Sequence, residues 1–201
     1  KLKKLVGASE DRFGTAVRLS IAGNIMDLGV GEKYADLMGT IERALSEPLA
    51  IDDLSELRDS LESAKHVLFI GDNAGETVFD RVLLETLSVP VTYAVKGGPV
   101  LNDATMSDAV RAGLDRCATL VNPGSDAPGT ILPLCSEDFR VRFEQAPLII
   151  AKGQGNYESL SEAGPRVFCL LQVKCPVIGT DVGVPAGSLV VRRSTGRRDS
   201  S

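Results

Sequence analysis

Short apolar runs rich in β-branched residues recur from residue 66 onward, and they constrain the fold more than any other feature of the sequence. Helical patterns lie between several of these runs. Apolar strands that alternate with helices are typical of a mostly parallel sheet covered on both faces, so the expected fold class is α/β. We expect the last run to be an antiparallel edge strand. The runs cover residues 66–71, 91–95, 118–121, 147–151, 167–173 and 188–191.

The segment before residue 65 has a different pattern, which predicts helices without strands. Apolar residues recur every four positions from Phe13 to Ile25 and at spacings of three and four from Leu54 to Leu61. Another helix is expected over residues 31–47. The predicted organisation is a helical subdomain over 1–64, a sheet domain that binds metal and phosphate over 65–193, and a polar tail over 194–201.

Composition and charge exclude several classes of function. The formal net charge of -5 argues against nucleic acid as a partner. No apolar run approaches the roughly 20 residues of a membrane helix, so no membrane partner is expected. Four dispersed cysteines and a single histidine, His66 at a strand start, do not suit a zinc site or a serine-type triad. Free cysteines in an acidic chain favour a cytoplasmic location.

Three lysines follow predicted strands directly. Lys96, Lys152 and Lys174 are the lysines found between residues 66 and 191, and each comes immediately after an apolar run. If these runs are parallel strands, the three ammonium groups share the carboxyl edge of the sheet, where open α/β sheets bind ligands. Lysines there are suited to holding a phosphate group as point charges.

Oxygen-bearing side chains and glycines follow the same strands. Asp72 and Asn73 come after the first strand, Asp103 after the second, Ser125 after the third and Asn156 after the fourth. Carboxylate and amide oxygens are the ligands that hard divalent cations prefer. A cation with open positions beside lysines is the equipment of metal-assisted phosphate-ester hydrolysis. We therefore expect a metal and phosphate site at this edge.

The same residues also have purely structural interpretations. Asn73 and Glu76 have the spacing of a helix capping box, and Asn102, Asp103 and Thr105 are candidates to cap the following helix in the same way. A capping residue and a neighbouring metal ligand are compatible. Asn24 and Asp27, three residues apart, share a helix face or mark a helix end.

Taken together, these segments resemble the DUF89 family, also described as damage-control phosphatases with an ARMT1-like domain. The resemblance covers nearly the whole chain. It depends on five elements in a fixed order, the last of which is a lysine after the fifth strand. The elements are Gly23-Asn24-x-x-Asp27, Asp72-Asn73-Ala74-Gly75-Glu76, Leu101-Asn102-Asp103-Ala104-Thr105, Lys152-Gly153-x-x-Asn156-Tyr157 and Lys174.

The resemblance implies a helical amino-terminal region packed on a Rossmann-like αβα sandwich. It implies a divalent-metal-dependent phosphatase that acts on small phosphorylated metabolites, such as sugar phosphates or damaged phospho-compounds, with Mg²⁺, Mn²⁺, Ni²⁺ or Co²⁺ as the metal. Family members begin well upstream, so we expect part of the helical region to precede Lys1. The implied metal ligands are Asp72, Asn73 and Asp103, the implied phosphate and substrate contacts are Lys152, Asn156 and Lys174, and Asn24, Asp27 and Glu76 are implied near the pocket.

Two other functions remain open at this point. A methyltransferase that uses S-adenosylmethionine would also have a Rossmann-like sheet, although only the Gly71–Gly75 loop suggests it. A sensor that binds a phosphorylated metabolite without chemistry would keep the same pocket. Asp72 and Asp103, expected as the catalytic carboxylates, favour the enzyme over the sensor.

Overall fold

A computed structural model describes residues 1–25 and 37–196, with the backbone alone for residues 24 and 25. Within these residues a seven-stranded sheet runs in the order β1-β7-β6-β5-β2-β3-β4. The strands are β1 (Ile51–Asp52), β2 (Val67–Ile70), β3 (Val91–Ala94), β4 (Thr119–Val121), β5 (Leu148–Lys152), β6 (Val167–Gln172) and β7 (Leu189–Arg193). Neighbouring strands are parallel throughout the sheet except β6 and β7, which are antiparallel. The expected mostly parallel α/β fold is confirmed.

Helices connect the strands and precede the sheet. Before β2, four helices form in the described residues, and α5 to α9 follow in alternation with the strands. The helices are α1 (Leu2–Ala8), α2 (Arg12–Ile25), α3 (Leu37–Ser46), α4 (Leu54–Ser63), α5 (Thr77–Leu84), α6 (Met106–Ala112), α7 (Glu137–Gln145), α8 (Gln154–Leu160) and α9 (Pro176–Val182).

Side chains from the two faces of the sheet enter two separate hydrophobic cores. In β2, Val67 and Phe69 pack on the face covered by α2 and α5, whereas Leu68 and Ile70 pack on the face covered by α7, α8 and α9. Successive side chains of a strand point to opposite faces, so a strand buried on both faces must be apolar at every position. This explains the continuous apolar runs of the sequence.

The end of the sheet differs from expectation at one strand. β7 is antiparallel, as expected, but it does not form the edge, because Ile51–Asp52 pairs with Val190 and Val191 on its outer side. A two-residue strand is too short to produce a recognisable alternation of apolar and polar residues, so the sequence pattern did not reveal it. The segment predicted as wholly helical thus contributes a strand to the sheet. The proposed division at residue 64 stays a prediction.

Helix α2 brings the amino-terminal segment against the sheet. Its buried residues Val17, Leu19 and Ile21 belong to the same core as Phe69 of β2. Residues 26–36 and 197–201, which include Asp27 and most of the expected tail, lie outside the described residues. In the part of the chain that is described, no helix is both long enough and apolar enough to cross a membrane.

Candidate metal and phosphate site

The carboxyl edge of the sheet contains a crevice between β2 and β5, where the strand order reverses. From β2 the chain continues to β3 and β4 on one side, whereas β5 lies on the other side of β2 and is followed outward by β6. Loops that leave adjacent strands in opposite directions open a space between them, which is where open α/β sheets bind ligands. Asp72 follows β2 and Gly153 follows β5, so both border this crevice.

The loops after β2 and β3 pair with each other. The Ala74 backbone N–H donates to the Asn102 carbonyl at 2.8 Å, and the Ala104 N–H donates to the Asp72 carbonyl at 2.8 Å. Between these bonds, Asn73 and Asp103 form an isolated antiparallel bridge. The structure therefore brings Asp72, Asn73 and Asp103 together, as the sequence predicts.

The Asp72 carboxylate is crowded by negative charge. Burial, together with the charges of Glu76 and Asp103, raises the pKa of Asp72 to about 7, while Lys152 and Lys174 oppose the shift. A carboxylate surrounded in this way is stabilised by a nearby cation. The local charge therefore favours cation binding at Asp72.

Gly153 provides the space for that carboxylate. Its φ is +80°, a conformation that side chains rarely adopt, and a Cβ built there would lie 1.8 Å from Asp72 Oδ2. Gly153 also precedes the first turn of α8. Any residue with a side chain at this position would strain the backbone and displace Asp72.

The capping interpretation is confirmed for Asn73, and of the three candidates for the next helix the structure shows Thr105 as the cap. Asn73 and Glu76 form a capping box at the short 3₁₀ turn Ala74–Glu76, in which Glu76 Oε1 accepts from the Asn73 backbone N–H at 3.3 Å. Thr105 caps α6 with Asp108 as its reciprocal partner. The caps fix the two loops that carry the candidate ligands, so the structural and functional interpretations apply together.

Lys96 connects the loop of residues 122–130 to the candidate site by hydrogen bonds. Its ammonium group donates to the carbonyls of Ala127 at 2.8 Å and Gly129 at 2.9 Å, and it lies 3.2 Å from Asp103 Oδ2. The Ser125 carbonyl in the same loop accepts from the Gly97 N–H at 3.0 Å. Lys96 therefore lies beside the candidate ligand Asp103. Ser125 belongs to the loop after β4, which is bonded to the loop after β3 that contains Lys96 and Asp103.

Lys152 and Asn156 lie beneath the crevice with buried side chains. The Lys152 ammonium group donates to Glu76 Oε2 at 2.7 Å, Asp80 Oδ1 at 2.8 Å and the Ser20 carbonyl at 3.0 Å. Asn156 Nδ2 donates to the Gly71 and Lys152 carbonyls at 3.2 and 2.7 Å. Both side chains are thus engaged within the protein. Their contact with phosphate, expected from the sequence, stays a prediction that these hydrogen bonds do not test.

Three further residues expected at the site differ in what the structure shows. Lys174 is exposed after β6, close enough for its charge to lower the pKa of Asp72. Asn24 is described only by its backbone in the last turn of α2, and Asp27 lies outside the described residues. Gly23, which precedes Asn24, does line the neighbouring cavity.

A cavity of about 330 Å³ opens beside the paired loops. Leu101 borders the cavity, and its side chain is 93% exposed. Its φ is +48°, and in the described part of the chain it is the residue other than glycine that has a positive φ. The cavity is lined by Gly23, Asn73, Ala74, Gly75, Pro99, Leu101, Asn102, Asp103, Thr105 and Asp108. The cavity therefore adjoins the candidate ligands Asn73 and Asp103.

The donor set fits a hard cation but supplies only part of its coordination. Among the described residues no three His, Cys, Asp or Glu side chains form a group that could hold a metal ion. The expected set contains two carboxylates and one amide, all oxygen donors, and the crowding of charge at Asp72 favours a cation. Mg²⁺ and Mn²⁺ commonly keep water or substrate oxygens at their other positions, so three protein ligands are sufficient.

The sequence did not reveal two buried polar residues behind the site. Asp80 and Tyr93 are fully buried, and the Tyr93 hydroxyl donates to Asp80 Oδ2 at 2.8 Å. An available signal was the spacing of Glu76 and Asp80, four residues apart and therefore on one helix face, with Asp80 inside a mostly apolar helix. Tyr93 gave no such signal, because tyrosine is common in buried strands.

Comparison with known proteins identifies similar sequences and a similar structure. The sequence profile described as damage-control phosphatase ARMT1-like domain matches residues 1–190. A damage-control phosphatase of Pyrococcus horikoshii is 42% identical over 187 residues, which make up 90% of this chain and 65% of that protein. A damage-control phosphatase of Archaeoglobus fulgidus is 37% identical over 198 residues, 94% of this chain and 68% of that protein.

The fold agrees with these sequence matches. A crystal structure of a DUF89 family protein from Pyrococcus horikoshii superposes with a TM-score of 0.87 at 39% identity. The superposition covers 96% of this chain and 70% of the crystallised chain. The chain thus spans slightly less than two thirds of the Pyrococcus relative in sequence.

Proposed function

This chain is a member of the damage-control phosphatase ARMT1-like domain family, and on that premise we propose that it is a divalent-metal-dependent phosphatase. We propose small phosphorylated metabolites as its substrates, either sugar phosphates or damaged phospho-metabolites. One observation carries the proposal beyond family membership. The loop of the partly buried Asp72 pairs with the loop of Asp103 at the sheet crevice, with Lys96 and Lys174 alongside.

The proposed cation ligands are Asp72, Asn73 and Asp103, and the cation is Mg²⁺, Mn²⁺, Ni²⁺ or Co²⁺. When bound, such a cation polarises a phosphoryl oxygen and supplies charge stabilisation to the displacement. The chain's own contribution is to hold the donors in place: the paired loops fix their backbone, and Gly153 leaves room for the Asp72 carboxylate. We assign Asp72 and Asp103 as the catalytic carboxylates.

The proposed phosphate contacts are Lys96, Lys174 and Ser125 at the rim of the crevice. Lys96 and Lys174 bring positive charge beside the acidic ligands, and two ammonium groups can balance a phosphate dianion. Lys152 is left out of this set because its side chain is completely buried beneath the crevice and its ammonium group binds Glu76, Asp80 and the Ser20 carbonyl. Lys96 is also hydrogen-bonded, but it lies at the rim and contributes its charge there.

Four predicted residues complete the proposed pocket. Asn156 shapes its floor through bonds to the ends of β2 and β5, and Glu76 orients Asn73. Asn24 and Asp27 follow Gly23, which lines the cavity, and we propose that they contact the substrate. We also propose a cytoplasmic location, which the four free cysteines support.

The test is hydrolysis by the purified, chelator-treated chain of p-nitrophenyl phosphate and a panel of sugar phosphates. Each of the four cations is added back in turn. Asp72→Asn and Asp103→Asn keep the shape of each side chain but remove its charge, and each should lower kcat/KM by more than about 100-fold. Asp59→Asn, an equivalent change on the exposed side of α4, is the matched control and should leave kcat/KM unchanged.

Each alternative result contradicts a definite part of the proposal. Full activity after chelation contradicts metal dependence, and full activity in Asp72→Asn contradicts the assigned ligand role. Metal-dependent binding of inorganic phosphate without turnover of any substrate would favour the sensor. Heat released on titration with S-adenosylmethionine would favour the methyltransferase.

A further inference from the structure

A closed network of charged and polar side chains lies directly behind the candidate metal ligands. At its centre, the Lys152 ammonium group is completely buried and donates three hydrogen bonds, to Glu76, Asp80 and the carbonyl of Ser20. An ammonium group has three N–H donors, so Lys152 has none left for a ligand in this arrangement. Its role is therefore inside the protein.

Asp80 holds that lysine from the side away from the crevice. Asp80 Oδ1 accepts from Lys152 and also from the Ser20 hydroxyl at 2.7 Å, and Asp80 Oδ2 accepts from the Tyr93 hydroxyl at 2.8 Å. Both Asp80 and Tyr93 are 0% exposed. Asp80 thus reaches neither solvent nor substrate, and any effect it has on the site passes through Lys152.

Glu76 connects the network to the candidate ligands. One of its carboxylate oxygens, Oε2, is held by Lys152, and the other, Oε1, accepts from the side-chain amide of Asn73 at 2.7 Å. The same amide nitrogen donates to Asp72 Oδ2 at 3.1 Å. Hydrogen bonds therefore run without interruption from Tyr93 on β3 to Asp72 at the crevice.

Stability alone does not account for this arrangement. Burying charges costs several kcal/mol for each ion, and apolar residues of similar volume usually stabilise a core as well as a buried ion pair does. What the network provides instead is a fixed orientation of its side chains, because each oxygen of the Glu76 and Asp80 carboxylates accepts from a defined donor. With Glu76 held by Lys152, only the nitrogen end of the Asn73 amide can face Glu76 and Asp72.

We propose that Asp80 and Tyr93 are positioning residues, which hold Lys152 and Glu76 so that Asn73 and Asp72 are presented correctly to a divalent cation. The inference rests on the proposed function, since it takes Asn73 and Asp72 as cation ligands. It assigns a role in cation binding to two residues that never contact the cation.

Tyr93→Phe is the sharpest test, because it removes one hydroxyl and leaves the ring stacked on Phe69 at a centroid distance of 5.2 Å. The matched control is Tyr157→Phe, which removes another tyrosine hydroxyl bonded to a carboxylate, Asp181 Oδ2 at 2.7 Å, outside the network. Mn²⁺ affinity is measured by calorimetry and by electron paramagnetic resonance, without substrate. Tyr93→Phe should weaken Mn²⁺ binding about tenfold, the lower end of the range for residues that orient metal ligands, and Tyr157→Phe should not.

A second variant separates positioning from a general loss of stability. Asp80→Asn should weaken Mn²⁺ binding more than Tyr93→Phe does. The double variant should be no weaker than Asp80→Asn alone, because Tyr93 acts through Asp80. Circular dichroism and thermal unfolding show whether each variant is folded at the assay temperature.

The outcomes distinguish this inference from the proposed function. If folded Tyr93→Phe binds Mn²⁺ as tightly as the wild-type chain, or if the double variant shows additive losses, the positioning role is wrong. If the wild-type chain binds Mn²⁺ and hydrolyses nothing, only the proposed activity is wrong. If the wild-type chain binds no divalent cation, the proposed metal site and this inference both fail.

Discussion

Replacing Gly153 by alanine should disable the site through a single methyl group. The added Cβ would lie 1.8 Å from Asp72 Oδ2, whereas an ordinary contact begins at 3.4 Å. The carboxylate must therefore withdraw by about 1.6 Å, or the turn between β5 and α8 must shift by a similar distance. Misplacing a reacting group by about 1 Å can cost roughly 100-fold in rate, so we expect kcat/KM to fall by at least about 100-fold.

The same substitution also strains the backbone, and this effect needs its own control. Gly153 has a φ of +80° and a ψ of 169°, a region that essentially only glycine adopts, so alanine there costs about 1–3 kcal/mol in the free energy of unfolding. Gly183, at the end of α9, has a φ of +85°, and a Cβ added there meets no atom within 4 Å. Gly183 has a ψ of 26° and lies in the left-handed helical region, where alanine costs about 1–2 kcal/mol. Gly183→Ala should therefore lose somewhat less stability than Gly153→Ala while keeping its activity.

The assay compares both variants by urea unfolding and by hydrolysis of p-nitrophenyl phosphate with added Mn²⁺. Mn²⁺ affinity is measured in parallel, and it should be reduced in Gly153→Ala alone. Equal activity of the two variants would refute the reasoning, because it would mean that Asp72 tolerates displacement or has no part in the reaction. A loss of activity in Gly183→Ala would show that backbone strain, rather than contact with Asp72, is responsible.

Two further predictions concern stability near the cavity. Leu101→Asn should raise the free energy of unfolding by up to about 1 kcal/mol, since asparagine tolerates the φ of +48° and the leucine side chain is already exposed. Urea unfolding measures this, and Leu134→Asn, at an exposed position without positive φ, should show no gain. Thr105→Val should lower the free energy of unfolding by about 1 kcal/mol at pH 7 through loss of the helix cap. Hydrogen bonds from the Thr105 side chain and backbone lower the pKa of Asp108 below its ordinary value of 3.8, so this contribution is present above that pH and is lost as the pH falls below it. The difference between wild type and Thr105→Val should therefore shrink in acid, and an unchanged difference at pH 3 would contradict the role of the Asp108 charge.

The sequence predicted the edge of the sheet at which the site would form. Short strands buried on both faces must be apolar throughout, so the end of each strand could be recognised in the sequence as the end of an apolar run. The residues just beyond those ends were the candidates for the site. This placed Asp72, Asn73 and Asp103 together, and the pairing of their loops agrees. Loops that follow parallel strands are brought together by the sheet itself, so no tertiary detail was needed.

The direction of side chains was not predictable in the same way. Lys96, Lys152 and Lys174 each follow an apolar run in the sequence, yet Lys174 is exposed, Lys96 binds loop carbonyls and Lys152, the last residue of β5, is enclosed. The difference for Lys152 arises from Asp80, which binds it in space but belongs to a helix far from β5 along the chain. A local pattern carries no information about a partner 72 positions away along the chain.

The position of Ile51–Asp52 has a consequence for how the protein is made. Within the described residues, this strand pairs with β7, the last strand along the chain, and with no other strand. On the ribosome it must therefore wait, with its backbone hydrogen-bonding groups turned to water, until nearly all of the domain has been synthesised. Pairing two segments that are far apart in the sequence costs loop-closure entropy and slows folding. We therefore expect the pairing of this strand with β7 to be a slow event in the maturation of the nascent chain.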